Sequence, residues 1–230
     1  MPSTNPVNID LSQLEILDPV TSAKGGKMAS IFYKGEGLVL FQPADLQVVF
    51  EPGTFSGEPA SRVDLVVRPQ PETRQALEEL DDFIISYATE HGERLLGKRL
   101  PLAEVQGRYI PCLKHKDGFA PTCKLKMNLE GKGPVRIWDA KGVRCKVPEQ
   151  WRGLTISVLI RLKAIYVMGK TFGCILEALD VRCVTQPEEQ LECPLRLTAD
   201  KKPPRGPLRP FFLVGPGHFR RFAYSWRKKR

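Results

Sequence analysis

Apolar and polar residues alternate along much of this chain, and the places where the alternation breaks mark its elements. Between Ile31 and Phe50 three strand-like runs are expected: Ile31-Phe32-Tyr33, Leu38-Val39-Leu40-Phe41 and Leu46-Gln47-Val48-Val49-Phe50. Gly35-Glu36-Gly37 and Gln42-Pro43 supply the turns between them. Arg62 to Arg68 reads as a further strand with Val63, Leu65 and Val67 on one face. The period then changes. Over residues 72–91, Leu77, Leu80, Phe83 or Ile84, and Tyr87 or Ala88 recur at three- and four-residue spacing, which predicts an amphipathic helix. Glu78, Glu79, Asp81 and Asp82 fall between them and predict an acidic outer face. Pro71 and Glu72 suit the start of this helix and Gly92 its end.

Alternation returns after Gly107. Cys123, Leu125, Met127 and Leu129 oppose Lys124, Lys126 and Asn128; Val135 and Ile137 oppose Arg136 and Trp138. Val143, Cys145 and Val147 oppose Arg144 and Lys146, which predicts another strand. Leu154, Ile156, Val158, Ile160 and Leu162 form a longer apolar face, and Met168-Gly169-Lys170 turns into a run from Phe172 to Thr185 whose alternation slips once, as at a bulge. Short strands at this spacing with one helix predict a mainly β chain built as a closed or nearly closed antiparallel barrel. Residues 1–27 read as a loose arm, 28–186 as the barrel domain, and 187–230 as a Pro-rich linker followed by an extended basic, aromatic tail.

Composition narrows the function classes. In 230 residues, 42% are hydrophobic, enough for a core, whereas 20 Pro and 19 Gly are too many for a helical bundle. No run approaches the roughly 20 apolar residues of a membrane span, so no membrane partner is expected. The N-terminus carries no basic start and apolar core of a secretory leader, so an intracellular setting is expected. The six cysteines then read as reduced thiols rather than a disulfide frame. The formal charge of +9 is unevenly spread: −8 over residues 1–92, +10 over 93–164, −3 over 165–200 and +10 over 201–230. Two cationic segments favour a polyanionic partner; the competing reading is a merely solvated face.

Signs of catalysis are scarce. The chain has no phosphate-binding GxxxxGK[ST] loop, no GxSxG elbow and no HExxH, and we expect a non-enzyme without a cofactor. Cys112, His115, Cys123 and Cys145 contain zinc-compatible atoms, but their spacing matches no compact zinc motif, and Cys123 and Cys145 fall in phase with apolar faces. No metal is expected.

The cationic middle segment holds the candidate binding residues. Its outward positions read Lys124 and Lys126, Arg136 and Trp138, Arg144, then Arg161 and Lys163. Tyr109 and the loop residues Lys114, Lys116 and Phe119 precede them; Tyr166, Lys170 and Phe172 follow. Cations neutralise phosphates and aromatic rings stack unpaired bases, a combination that suits a single strand better than a duplex. Trp138 is the sharpest case, out of phase with Val135 and Ile137; the alternative packs it beneath a loop or the acidic helix. For Tyr166 and Phe172 core packing competes with stacking, and Trp151 reads as a plug at the barrel end. The reading requires these side chains to converge on one groove. Scatter around the molecule, or a buried indole with cations paired to local acids, would count against it.

The order of GKRL at Gly97 to Leu100, RYIPCLK at Arg108 to Lys114, GFAPTCKLKMNL at Gly118 to Leu129, VRIWDAKG at Val135 to Gly142 and IYVMGKTFGCILEALDVRC at Ile165 to Cys183 resembles a known family. It is similar to the OB-fold single-stranded DNA-binding proteins of large eukaryotic DNA viruses, relatives of the short-tailed coliphage single-stranded DNA-binding protein, over about residues 30–185. The resemblance implies an OB-type barrel, DNA contacts at Lys124, Lys126, Trp138, Tyr166 and Phe172, and protection of displaced strands in viral replication, recombination or repair. It also implies single-stranded DNA as partner, with RNA not distinguished, and contacts with replication proteins. Phage members end in an acidic tail, whereas this chain ends RFAYSWRKKR. That inversion leads us to expect that the tail docks on the acidic helix face, in cis or from a neighbouring subunit, the latter giving self-association through the tail. It also leaves one alternative, a nucleocapsid-type structural protein that packages nucleic acid through the tail.

Overall fold

The structure, a computed structural model, describes residues 10–22, 25–34, 39–43, 45–54, 61–131 and 133–184. All of them lie within one compact unit, Met1–Gln190. The chain opens with a 3-10 turn at Leu11–Gln13 and the short strands β1 (Leu14–Ile16) and β2 (Val20–Thr21), both pairing with β3 (Lys27–Tyr33). The arm expected to be loose is thus partly tied to the sheet, with Ile16 buried against the core. β4 (Val39–Phe41), β5 (Leu46–Val48) and β6 (Arg62–Arg68) follow, then helix α1 (Pro71–Glu90), two short helices α2 (Gly92–Leu96) and α3 (Leu102–Arg108), and β7 (Tyr109–Ile110). The remaining strands are β8 (Leu113–Lys116), β9 (Phe119–Asn128), β10 (Arg136–Trp138), β11 (Thr155–Met168) and β12 (Thr171–Cys183).

Five strands close a ring. β5 pairs with β6, β6 with β9, β9 with β12, β12 with β11, and β11 with β5. Four of these seams are antiparallel; the β9–β12 seam is parallel and joins only Glu177 to Lys126 and Ala178 to Met127. This is the closed barrel that the alternation predicts, and it is of the OB type that the resemblance implies. The long hairpin β11–β12 carries it. Ile156, Val158, Ile160 and Leu162 point inward and are buried, and the ladder shifts register at two places. β3 and β4 extend the sheet along the other edge of β11.

Helix α1 matches the expected span and lays Leu77, Leu80, Ile84 and Ala88 into the core. Asp81 does not belong to its acidic outer face as expected. It is buried, and its carboxylate accepts hydrogen bonds from the Tyr109 hydroxyl (2.6 Å) and the Cys112 backbone N–H (2.9 Å), which pins the helix to β7 and the segment beside it. Burial pushes the Asp81 carboxyl above its ordinary value despite these donors. The strand expected at 143–147 does not form. Val143 is 60% exposed and Val147 50% exposed, and one bridge between Trp138 and Arg144 is the only pairing of the segment among the described residues. Cys145 is likewise exposed rather than in a core. Trp151 is buried as a plug, its backbone N–H bonded to the Glu51 carboxylate. The Pro-rich linker and basic tail lie outside the described residues.

Candidate nucleic-acid interface

The site is built by period-two alternation combined with strand register. On β9, Cys123, Leu125 and Met127 fill the barrel, so Lys124, Lys126 and Asn128 stand on its outer surface. On β6 the inward residues Val63, Leu65 and Val67 leave Asp64 outward. The ladders then align Arg161, Glu177, Lys126 and Asp64 in one lateral row across β11, β12, β9 and β6. At the usual strand spacing this row is about 14 Å long. Lys163 lies two positions beyond Arg161, and Lys114, paired with Thr122, stands on the same surface beside Lys124. Lys114, Lys124, Lys126, Arg161 and Lys163 therefore share a face.

That face is not a bare cationic strip. Lys124 Nζ lies 3.0 Å from one oxygen of Asp64 while Lys126 binds the other. Glu177 receives Arg161 on one oxygen, and Lys163 Nζ (3.0 Å) and Asn128 Nδ2 (2.9 Å) on the other. Glu177 is 0% exposed although its strand position is outward, because these side chains cover it. A buried carboxylate needs such partners, since unpaired burial is costly. Desolvation raises both carboxyls, but the hydrogen bonds from Lys126 and Lys124 hold Asp64 below its ordinary value. Those from Lys163 and Arg161 do the same for Glu177.

Aromatic groups flank the row along β12. At one end the Trp138 indole Nε1–H donates to Asp180 Oδ1 at 2.8 Å, and Arg136 Nη2 donates to Asp180 Oδ2 at 2.5 Å. The indole is half-buried. Exposed Arg144 bridges to Trp138, and Arg182 is its ladder partner. At the other end half-buried Tyr166 lies over Gly173, where an added Cβ would sit 3.1 Å from the Tyr166 hydroxyl and 2.8 Å from the Ile110 carbonyl. Only a glycine admits that approach. Burial pushes the Tyr166 hydroxyl above its ordinary pKa. Beyond the row, the β8–β9 hairpin turns at Gly118 (φ 76°) and displays Phe119, 66% exposed, with Lys116 Nζ 4.9 Å from its ring centroid. Lys170 is exposed in the β11–β12 turn.

Two expected contacts fail. Phe172 is 1% exposed and Tyr109 8% exposed. Their rings pack 5.2 Å apart in the core, so neither offers a plane to a base. Lys114, Lys124, Lys126, Arg161 and Lys163 share one outer face, whereas Lys116 stands at the Phe119 hairpin. The adverse condition is met in part: Lys124, Lys126, Arg136, Arg161 and Lys163 all pair with carboxylates, and the indole is half covered. Six cations, with Lys114, thus face three carboxylates, a surplus of three. Sequence reasoning missed Asp64, Glu177, Asp180 and Asn128. Asp64 between Val63 and Leu65, Glu177 between Leu176 and Ala178, and Asp180 between Leu179 and Val181 are polar positions within apolar runs, which was the available signal.

Of the zinc-compatible residues, Cys123 is buried, Cys112 half-buried, and His115 and Cys145 exposed. Among the described residues no group of three or more His, Cys, Asp or Glu is placed to hold a metal ion, and no helix is long and apolar enough to cross a membrane.

No family model matches the chain, and no curated protein matches it. Several solved structures are similar. The single-stranded DNA-binding protein from bacteriophage Enc34 is 13% identical, covering 81% of this chain and 98% of its own, with a TM-score of 0.44. The same protein in complex with single-stranded DNA is 12% identical, covering 75% and 97%, with a TM-score of 0.45. The single-stranded DNA-binding protein gp2.5 encoded by bacteriophage T7 is 14% identical, covering 75% and 100%, with a TM-score of 0.44.

Proposed function

We propose that this protein is a non-catalytic, intracellular binder of single-stranded DNA that coats unpaired strands during replication, recombination or repair. The observation that carries the reading is the lateral row on the outer face of β6, β9, β12 and β11, with its surplus of cations between Trp138 and Tyr166. Cations on such a row neutralise a phosphate chain, and the rings that flank it along β12 and at the Phe119 hairpin take bases that no complement shields. The part of the row on β6 and β9, the second and third ring strands in chain order, corresponds to the strand pair with which OB-type barrels take oligonucleotides. By analogy of fold alone this adds weight, not specificity.

Titrating the protein with oligo(dT) while following tryptophan fluorescence, over a range of salt, tests this. The surplus of three charges gives a log–log salt slope of about −2 on single strands. Quenching with that slope, and weaker binding to a duplex of equal length at matched salt, is the expected result. Absence of binding, or equal affinity for the duplex, refutes the proposal. The packaging alternative rests on residues 201–230, which lie outside the described residues.

A further inference from the structure

We propose that Asp64 and Glu177 act as internal counter-ions, which lower both the affinity and the salt sensitivity with which this face takes a phosphate chain. The inference rests on the single-strand reading above and concerns the regulation of that same site.

Each carboxylate divides its two oxygens between two cations: Asp64 between Lys124 and Lys126, Glu177 between Arg161 and Lys163. Four cations thus carry a surplus of two. Stability accounts for only a small part of the Asp64 pairs. The side chains of Lys124 and Lys126 are 60% and 39% exposed, and ion pairs this open contribute little to folding. Glu177 occupies an outward position in the centre of the row, yet is covered by the cations it neutralises. A phosphate arriving at a cation already held by a carboxylate displaces few salt ions, and ion release is what drives polyanion binding. The row therefore grips a strand with about half of its nominal charge, and a weaker grip favours release.

Asp64→Asn and Glu177→Gln keep shape and remove one charge each. Asp82→Asn, at an exposed position on α1, removes the same charge away from the row. With oligo(dT), Asp64→Asn should bind more tightly at low salt. It should also lose about 2- to 3-fold more affinity than the parent between about 50 and 200 mM salt, the effect of one added phosphate contact. Glu177→Gln should do the same if circular dichroism shows it folded, and Asp82→Asn should change the slope little. Equal slopes in parent and folded Asp64→Asn overturn the inference, as does an equal change in Asp82→Asn. If the parent binds no oligo(dT), the single-strand reading fails. Inorganic polyphosphate, which has no bases, then tests the counter-ions separately: a steeper slope for Asp64→Asn is expected, and an equal slope rejects them.

Discussion

The Trp138 indole N–H and the Arg136 guanidinium share the Asp180 carboxylate, one on each oxygen. The bond fixes the edge of the indole, and the half-buried ring flanks the charged row. Trp138→Ala should weaken oligo(dT) binding by about 1–3 kcal/mol, the usual worth of one stacked base, and leave the salt slope unchanged. Trp138→Phe, which retains a ring and loses the bond to Asp180, should recover part of the loss. Filter binding at two salt concentrations checks both, and a Trp138→Ala protein of full affinity would remove the indole from the site.

Phe172 and Phe119 are predicted to separate stability from binding. Phe172 packs on Tyr109 inside the barrel, so Phe172→Ala should cost about 3–5 kcal/mol in urea denaturation. Its remaining folded molecules should bind with ordinary affinity. Phe119 stands out from a hairpin tip, so Phe119→Ala should change stability by less than about 0.5 kcal/mol. It should nevertheless weaken strand binding. The reverse pattern would mean that the rings have been assigned to the wrong roles.

Acid should act on the two classes of carboxylate in opposite directions. Asp64 faces Lys124 and Lys126 from β9, and Glu177 faces Arg161 and Lys163 from β11 together with Asn128 and Lys126 from β9. Both carboxyls are held below their ordinary values of 3.8 and 4.5, so their stabilising contribution is complete above those values and is lost as pH falls through the lowered ones. Asp81 is raised above 3.8 by burial. Its ionisation therefore opposes folding, a penalty absent below 3.8 that sets in as pH rises through the raised value. Urea midpoints measured across the acid range should show a shallower loss at the lowest pH in Asp64→Asn than in the parent. An unchanged acid limb would show that Asp64 does not contribute to it.

The elements with strong periodicity were readable from sequence. Helix α1 and strand β11 emerge from residue spacing because each buries one continuous face. The segment 143–147 misled because Val143, Cys145 and Val147 alternate correctly yet have no neighbouring strand to bury them beyond the bridge at Arg144. Alternation marks phase, and burial needs a partner as well. The same limit applies to the site. Lys124 and Lys126 are visibly outward in the sequence, but Asp64 lies 62 positions from Lys126, and only the β6–β9 register brings them together. The sequence leaves Phe172 open between core packing and stacking and sets Tyr109 among the binding residues, because an aromatic in a cationic segment looks alike whether it faces solvent or the parallel β7–β12 pairing that buries it.

The parallel seam between β9 and β12 holds by two residue pairs, and the charged row crosses it at Lys126 and Glu177. It is the shortest joint of the ring together with β5–β6 and β5–β11, and the only one whose strands run the same way. A polyanion gripped by Lys126 on one side and Arg161 on the other is a splint across that joint. Occupancy should then slow amide exchange around Lys126 in β9 and Glu177 in β12.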